Sequence, residues 1–302
     1  MKNLYFLLTL SIVFASCTKN DPDTGLIDNS TPILSSYTYE THNATTGDVL
    51  TSTVYNLDNN KILGYTSANA SALFSYENDK ISEILSYTNG ALVGKRNFEY
   101  NSNGKLSEFL VESINSSLFN KHSFTHTQDT IFSEWKRSTD GIHFDLIATF
   151  KIVLDVYQNR TYLEEHDIIN NEVKIVYNTY DTNHNMITYD SYRKNNDNSL
   201  SSLFSSTYTY DTSINLLSVI NENTYKKETF SLLYHLQTSA INNFTPRNIS
   251  YNAMQSMSNN FGNQFTYTVQ NEVNDNNYAY FNTFKVYNNG VLFTKFTLEF
   301  TE

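Results

Sequence analysis

From about Ile33 onward the chain alternates apolar and polar residues in short runs, broken repeatedly by clusters of Asn, Asp, Ser and Gly. Alternation with period two puts successive side chains on opposite faces of an extended strand. No stretch sustains the 3.6-residue apolar stripe of an amphipathic helix, so the pattern predicts strand with little helix. The clearest unit is Phe98-Glu99-Tyr100-Asn101-Ser102-Asn103-Gly104-Lys105-Leu106. Phe98 and Tyr100 share one face and Glu99 takes the other. Residues 101–104 form a turn, where Asn tolerates left-handed backbone angles and Gly adopts positive φ without steric cost. Residues 105–111 return as a second strand, with Leu106, Glu108 and Leu110 opposite Ser107, Phe109 and Val111. The unit is a β-hairpin.

Imperfect copies recur. Tyr76-Glu77-Asn78-Asp79-Lys80-Ile81 precedes it, and Tyr180-Asp181-Thr182-Asn183-His184-Asn185-Met186-Ile187 and Tyr210-Asp211-Thr212-Ser213-Ile214-Asn215-Leu216-Leu217 follow. The spacings are uneven: Tyr55 to Tyr76 is 21 residues, Tyr76 to Tyr100 is 24 and Tyr180 to Tyr210 is 30, each about one hairpin. A last hairpin runs through Asn288-Asn289-Gly290, an Asn-Gly turn whose twist matches that of its strands. In the returning strand Phe296, Leu298 and Phe300 share one face, and Lys295, Thr297 and Glu299 the other. Between residues 236 and 264 the alternation lapses, and the pattern there predicts a long loop with a helical turn, the place for a ligand-contacting excursion.

Composition supports strand. Tyr 23 and Phe 20 bring aromatics to 15%, against 9 Gly and 3 Pro in 302 residues; aromatic and β-branched residues fit half-buried pleated surfaces. The net charge of −11 repels nucleic-acid phosphates, so nucleic acid is not an expected partner.

The N-terminus reads as an export signal: Lys2, then an apolar run from Leu4 to Phe14, then Ala15 and Ser16 before the single cysteine, Cys17. Phe14-Ala15-Ser16-Cys17 resembles a bacterial lipobox, with Phe14 where the stricter pattern has Leu. The resemblance implies a signal peptide over residues 1–16 and lipidation at Cys17. Residues 17–32, polar and carrying Asp-Pro and Thr-Pro, read as a flexible tether. Residues 33–302 form one β domain without disulfides.

Tyr100-Asn101-Ser102-Asn103-Gly104-Lys105-Leu106 resembles the YD repeat, also called the RHS repeat: Tyr-Asp, a polar turn with Gly, a basic residue and an apolar strand start. Tyr180-Asp181 and Tyr210-Asp211 match its opening, with Asn185 and Asn215 where Gly is expected. Together with the lipobox, the chain is similar to Bacteroidota lipoproteins of unknown function with degenerate YD/RHS-like repeats, some with a porin-like curved sheet. The resemblance implies a cell-envelope location at the outer membrane, on either its periplasmic or its surface face. Large RHS proteins resemble hollow shells around a toxin; 302 residues are too few for such a shell, so the sheet carries over and the toxin function does not.

Several side-chain groupings invite chemistry. His122 and His126 share a strand face but lie roughly 13 Å apart, too far to bind one metal together. In Glu164-Glu165-His166-Asp167, consecutive residues diverge to opposite faces, which makes it a solvated charge run. Asp181-Thr182-Asn183-His184-Asn185 spaces oxygens like the start of a calcium loop, yet Met186 replaces the required Gly and Tyr192 the closing Glu. Nucleophile-elbow, zincin, P-loop and dinucleotide patterns are absent from the sequence. Trp135, the single tryptophan, is the candidate for stacking on a sugar ring.

The sequence therefore predicts an all-β fold: a large, strongly twisted antiparallel sheet of repeated hairpins, curled into an open or closed barrel. The expected function is a non-catalytic binding or structural module on a lipid anchor, with a glycan or protein ligand and no cofactor or metal. The alternative is a glycan or peptide hydrolase with an unrecognised site. A lipid-embedded barrel would need an outward apolar band about 25 Å tall, which a mean hydropathy of −0.44 argues against.

Overall fold

The computed structural model describes residues 31–233, 250, 252–259, 265–288 and 290–302. Cys17 and all but the last two residues of the tether lie outside them. Among the described residues are eighteen strands: β1 (Ser36–His42), β2 (Val49–Asp58), β3 (Lys61–Ser67), β4 (Ala70–Glu77), β5 (Lys80–Thr88), β6 (Ala91–Tyr100), β7 (Leu106–Ser113), β8 (Leu118–His126) and β9 (Thr130–Ser138). The second half supplies β10 (Asp145–Leu154), β11 (Arg160–Asp167), β12 (Glu172–Tyr180), β13 (Met186–Lys194), β14 (Leu200–Ile214), β15 (Asn252–Asn259), β16 (Phe265–Val273), β17 (Ala279–Asn288) and β18 (Val291–Thr301). Each strand pairs antiparallel with the next in sequence, and β1 also pairs with β18, Tyr37 opposite Phe300. The predicted sheet is thus a closed up-and-down barrel, and closure leaves no edge exposed.

One end, the floor, is built from the tyrosine repeats. Four of its turns share one form, opening at Asn101, Asp155, Asp181 and Asn274. In each, the side-chain Oδ1 accepts from the backbone N–H groups two and four residues on, as at Asp181 from Asn183 and Asn185, both at 2.9 Å. The left-handed residue is the third after the Asx: Gly104, Gln158, His184 and Asn277. In the Asp181 copy the glycine-like position is therefore His184 and not Asn185, and Asn101 serves as a hydrogen-bond acceptor instead of a left-handed residue. Tighter floor turns at Asn59-Asn60 and Asn78-Asp79 hold both residues at positive φ, the twist that two-residue hairpins favour.

The repeat tyrosines latch neighbouring strands together. Tyr76 Oη–H donates to the Ile62 carbonyl (2.6 Å), Tyr180 to that of Arg160 (2.9 Å) and Tyr210 to that of Met186 (2.6 Å). The acceptor in each case lies near the start of the preceding strand. Immediately after it comes a β-bulge, with Leu63, Thr161 and Ile187 as the extra residues. Ser107 is the extra residue in β7. It resets the alternation, so Leu106, Phe109 and Val111 face inward together while Glu108 and Leu110 face out, unlike the simple alternation expected from the sequence. Bulges sharpen the local bend and twist, and their repetition around the floor helps close the barrel.

The Asp211 copy departs from the pattern. Asp211 Oδ1 still accepts from Ser213 N (2.8 Å), but Asn215 then caps a helix by accepting from Leu217 N (3.2 Å). Helices α1 (Leu216–Tyr225) and α2 (Lys227–Leu233) follow, where the sequence predicted another strand. No residue from Ser213 to Leu233 is exposed, because the pair lies inside the barrel. Tyr225, Phe230, Leu232 and Leu233 pack with Ile81, Phe98, Phe109 and Ile152, while Leu216, Leu217 and Ile220 pack with Ile62, Met186 and Phe296. The helix pair so joins the two halves of the core and plugs the floor. Residues 252–259, expected as loop, are strand β15; residues 236–249 lie outside the described ones.

Candidate functional site

At the opposite end, the mouth, consecutive residues are exposed on both faces of the wall: residues 49–52 in β2, 91–92 in β6 and 200–203 in β14. Water therefore reaches the inner surface there, while the inward side chains nearer the floor are buried. The barrel is a cup, wet above and packed below.

Register assigns the inward side chains. His122 faces Phe109 and Trp135, and Asn120 faces Val111 and Arg137. Trp135 Nε1–H and Arg137 Nε–H both donate to Asn120 Oδ1 at 3.2 Å, and the Arg137 guanidinium lies 5.0 Å from the indole centre. The His122 ring runs nearly parallel to the indole, 11° apart with centroids at 5.8 Å. Burial pushes the His122 pKa down to about 3, so its imidazole is neutral at physiological pH. Trp135, picked out in the sequence, thus stands on the inner wall, hydrogen-bonded to Asn120 and flanked by the His122 ring and the Arg137 guanidinium.

The other sequence candidates separate. His126 donates from Nε2 to the Leu106 carbonyl (2.7 Å) and turns Nδ1 toward Glu228 of the plug (3.0 Å), away from His122. Glu164 and His166 pair on the outer wall at 2.7 Å, while Glu165 and Asp167 face inward. Asp167 is engaged by the N–H groups of Ile169 and Asn170. Glu165 faces Lys174 across the strand pair, and burial raises its pKa. Asp181 is consumed by its own turn, with Oδ2 accepting from Asn185 Nδ2 at 3.0 Å; the geometry is that of a repeat turn rather than a calcium loop.

Arg96 and Arg137 escaped the sequence reading. The available signal was parity: each is a cation on the inward phase of its strand, two residues from Phe98 and Trp135. Arg96 donates from Nη1 to Ser86 Oγ at 3.0 Å. Arg193 also faces inward, 3.5 Å from Glu172.

The outer wall carries Lys95–Glu83 (2.6 Å), Lys121–Glu108 (3.5 Å) and Lys136–Glu134 (2.6 Å) along the middle of its strands. A bilayer-spanning barrel turns apolar residues outward at that height. From β5 to β9 the outer wall is polar at that height.

Charge fastens the plug to the floor. Lys226 meets Asp79 at 2.6 Å, with Lys61 on the same carboxylate, and Glu228 sits between His126 and Lys105 (3.3 Å). Asp79 titrates below the ordinary carboxylate range because Lys226 and Lys61 bond it. Glu228 does so as well: burial opposes the shift, but His126 and Lys105 outweigh it. Burial raises Glu222, against the pull of Lys227. A depressed carboxylate stabilises the fold above its unfolded pKa, near 4, and that contribution is lost as pH falls through the folded value. Thermal stability is expected to fall as pH drops from 5 toward 3, with a shallower fall in Glu228→Gln. Identical pH profiles for the two proteins, measured by differential scanning calorimetry, would remove Glu228 from this role.

No family model matches the chain, and no curated protein matches it. Among solved structures, it is similar to a porin-like protein from Bacteroides uniformis at 8% identity and a TM-score of 0.35, covering 89% of this chain and 98% of that one. A porin-like protein from Bacteroides vulgatus gives 11% identity, a TM-score of 0.33 and the same coverages. The structure of TcdB2-TccC3-Cdc42 gives 8% identity and a TM-score of 0.33, covering 83% of this chain and 14% of that chain.

Proposed function

We propose that the chain is a cell-envelope lipoprotein whose barrel is a non-catalytic binding cup for a glycan. The observation that carries this reading is a wet, polar and aromatic inner wall above a sealed floor. A plugged barrel holds a ligand better than it conducts one. Trp135 offers an apolar ring edge, and Asn120 and Arg137 beside it offer hydrogen-bonding groups, the mixture that saccharides require. Acid–base hydrolysis of a glycan uses two carboxylates held at a set separation. The inward acids argue against that use, since Asp167 is spent on its turn and Glu165, Glu172 and Asp145 face cations, Asp145 standing opposite Arg137.

The anchor belongs to the same proposal: lipid on Cys17, with residues 17–32 as tether, leaving the cup free in the envelope. Globomycin treatment or Cys17→Ala is expected to block processing, so that the uncleaved precursor accumulates and the membrane association of the mature protein is altered. For the cup, a glycan array followed by calorimetric titration should identify a saccharide that binds wild type and binds Trp135→Ala at least 10-fold more weakly. Hydrolysis of any bound glycan would replace the binding reading with the enzymatic one.

A further inference from the structure

We infer that the cup's ligand carries an oxyanion, a carboxylate or sulfate, which is received by Arg96 on the inner wall. This deepens the reading of the cup as a saccharide site and rests on it.

Arg96 faces inward between Ile84 of β5 and Val111 of β7. Apart from the Ser86 hydroxyl, the ionisable groups that act on its guanidinium are the phenols of Tyr65 on β3 and Tyr225 of the plug. Among the described residues no carboxylate lies within ion-pairing distance of it. Its Nε–H is fully enclosed and donates to nothing among them. Burial accordingly pulls the guanidinium pKa down from its usual value. A half-buried cation without a counter-charge is less favourable than a paired one. Inside an acidic chain, with 31 Asp and Glu against 20 Lys and Arg, an unpaired arginine on an inner wall is the reverse of what surface charge balance produces.

The space beside it is shaped for a visitor. One step nearer the mouth, the inward row across four neighbouring strands is Ala72, Ser86, Gly94 and Ser113. All four are small, and although Ala72 is buried, Ser86, Gly94 and Ser113 are partly exposed, so the side-chain layer is thin on the mouth side of the guanidinium. At Gly94 an added Cβ would meet only the Glu112 carbonyl oxygen, at 3.4 Å. Backbone crowding therefore does not require the glycine, and an added methyl would face the inner side of the wall. Arg96 shares its inward row with Val111, Asn120 and Arg137. Three strand spacings separate the two arginines, roughly 14 Å along the wall, with the Trp135 platform beside the second. An acidic sugar held by its oxyanion at Arg96 would extend toward Asn120 and Trp135. Guanidinium presents paired N–H donors matched to a carboxylate or sulfate.

The test titrates trigalacturonate and neutral galactotriose into the full chain by calorimetry, and follows thermal shifts with sodium sulfate against sodium chloride at matched ionic strength. Wild type is expected to bind the acidic trimer at least 10-fold more tightly and to gain more from sulfate than from chloride. Arg96→Met should lose the acidic preference and keep only the smaller, general gain that sulfate gives over chloride, while melting no lower without ligand. Arg96→Lys keeps the charge but not the fork, and should lose most of the acidic preference; it decides the matter if Arg96→Met does not fold. Equal binding of the two trimers, with no sulfate-specific shift, would overturn the oxyanion site and leave the cup intact. A sulfate shift that requires Arg96, without binding of any glycan on the array, would keep the oxyanion site and overturn the glycan reading. Acidic preference unchanged in Arg96→Lys would also overturn the assignment.

Discussion

Phe109→Ala is expected to destabilise the barrel by about 3–5 kcal/mol, the usual range for truncating a fully enclosed phenylalanine. Phe109 is inaccessible to water in the middle of the core. Its ring lies 4.9 Å from that of Phe98 and 6.3 Å from that of His122, in the same packed group as Tyr225, Phe230, Leu232 and Leu233 of the plug. The strand is held by ladders on both sides, so the wall cannot collapse into the vacancy and a cavity remains. The outward neighbour, Leu110→Ala, removes no core contact and should cost well under half as much. Urea unfolding measures both. A loss below about 1.5 kcal/mol for Phe109→Ala would mean that the plug and wall are not packed as one core.

Phe109 also marks how far the sequence could be read. The hairpin around Tyr100, the Asn-Gly turn before β18 and the shared face of Phe296, Leu298 and Phe300 follow from period-two patterning, and the structure contains each of them. Alternation alone placed Phe109 on the face opposite Leu106. Ser107 reverses this, and nothing about a serine announces a bulge, since the signal lies in pairing with a strand distant along the wall. The helix pair was hidden for a related reason. The buried face of α1 carries Ser218, Asn221 and Thr224 among Leu216, Leu217, Ile220 and Tyr225, which dilutes its apolar stripe; enclosure by the barrel, more than local amphipathicity, selects the helix. Asn215 gave the one local hint, as a helix cap, but the resemblance to a repeat turn concealed it.

The candidate site was legible only in part, because a cup wall is assembled from residues far apart in sequence. Trp135 stood out by its rarity, whereas Asn120 acquires a role only when β8 and β9 pair. Arg96 looked like one charge among many until register set it beside Ser86 and beneath a row of small residues. Local spacing grouped Glu164 with His166 and Glu165 with Asp167 correctly, by parity. It did not show that one pair faces water and the other the interior.

Gly64→Ala is expected to destabilise the protein by about 1–3 kcal/mol, the typical penalty for forcing atoms into filled space, although alanine normally suits a strand better than glycine does. A Cβ on Gly64 would lie 2.4 Å from the carbonyl oxygen of Ala72. That oxygen is backbone on the adjacent strand, so no rotamer change relieves the contact and β3 must move away from β4. The two strands share only three register pairs, Gly64 with Leu73, Tyr65 with Ala72 and Thr66 with Ser71, whereas β4 and β5 share eight. Displacement there weakens a short seam, and an opened barrel exposes two unpaired edges that invite association. Gly94→Ala supplies the contrast, since its Cβ meets nothing closer than 3.4 Å, and it should be neutral or mildly stabilising. Calorimetry with light scattering is expected to show Gly64→Ala melting earlier and aggregating on heating, with Gly94→Ala unchanged in both respects. Equal melting temperatures for the two variants would show that the seam between β3 and β4 yields freely and does not help hold the barrel closed.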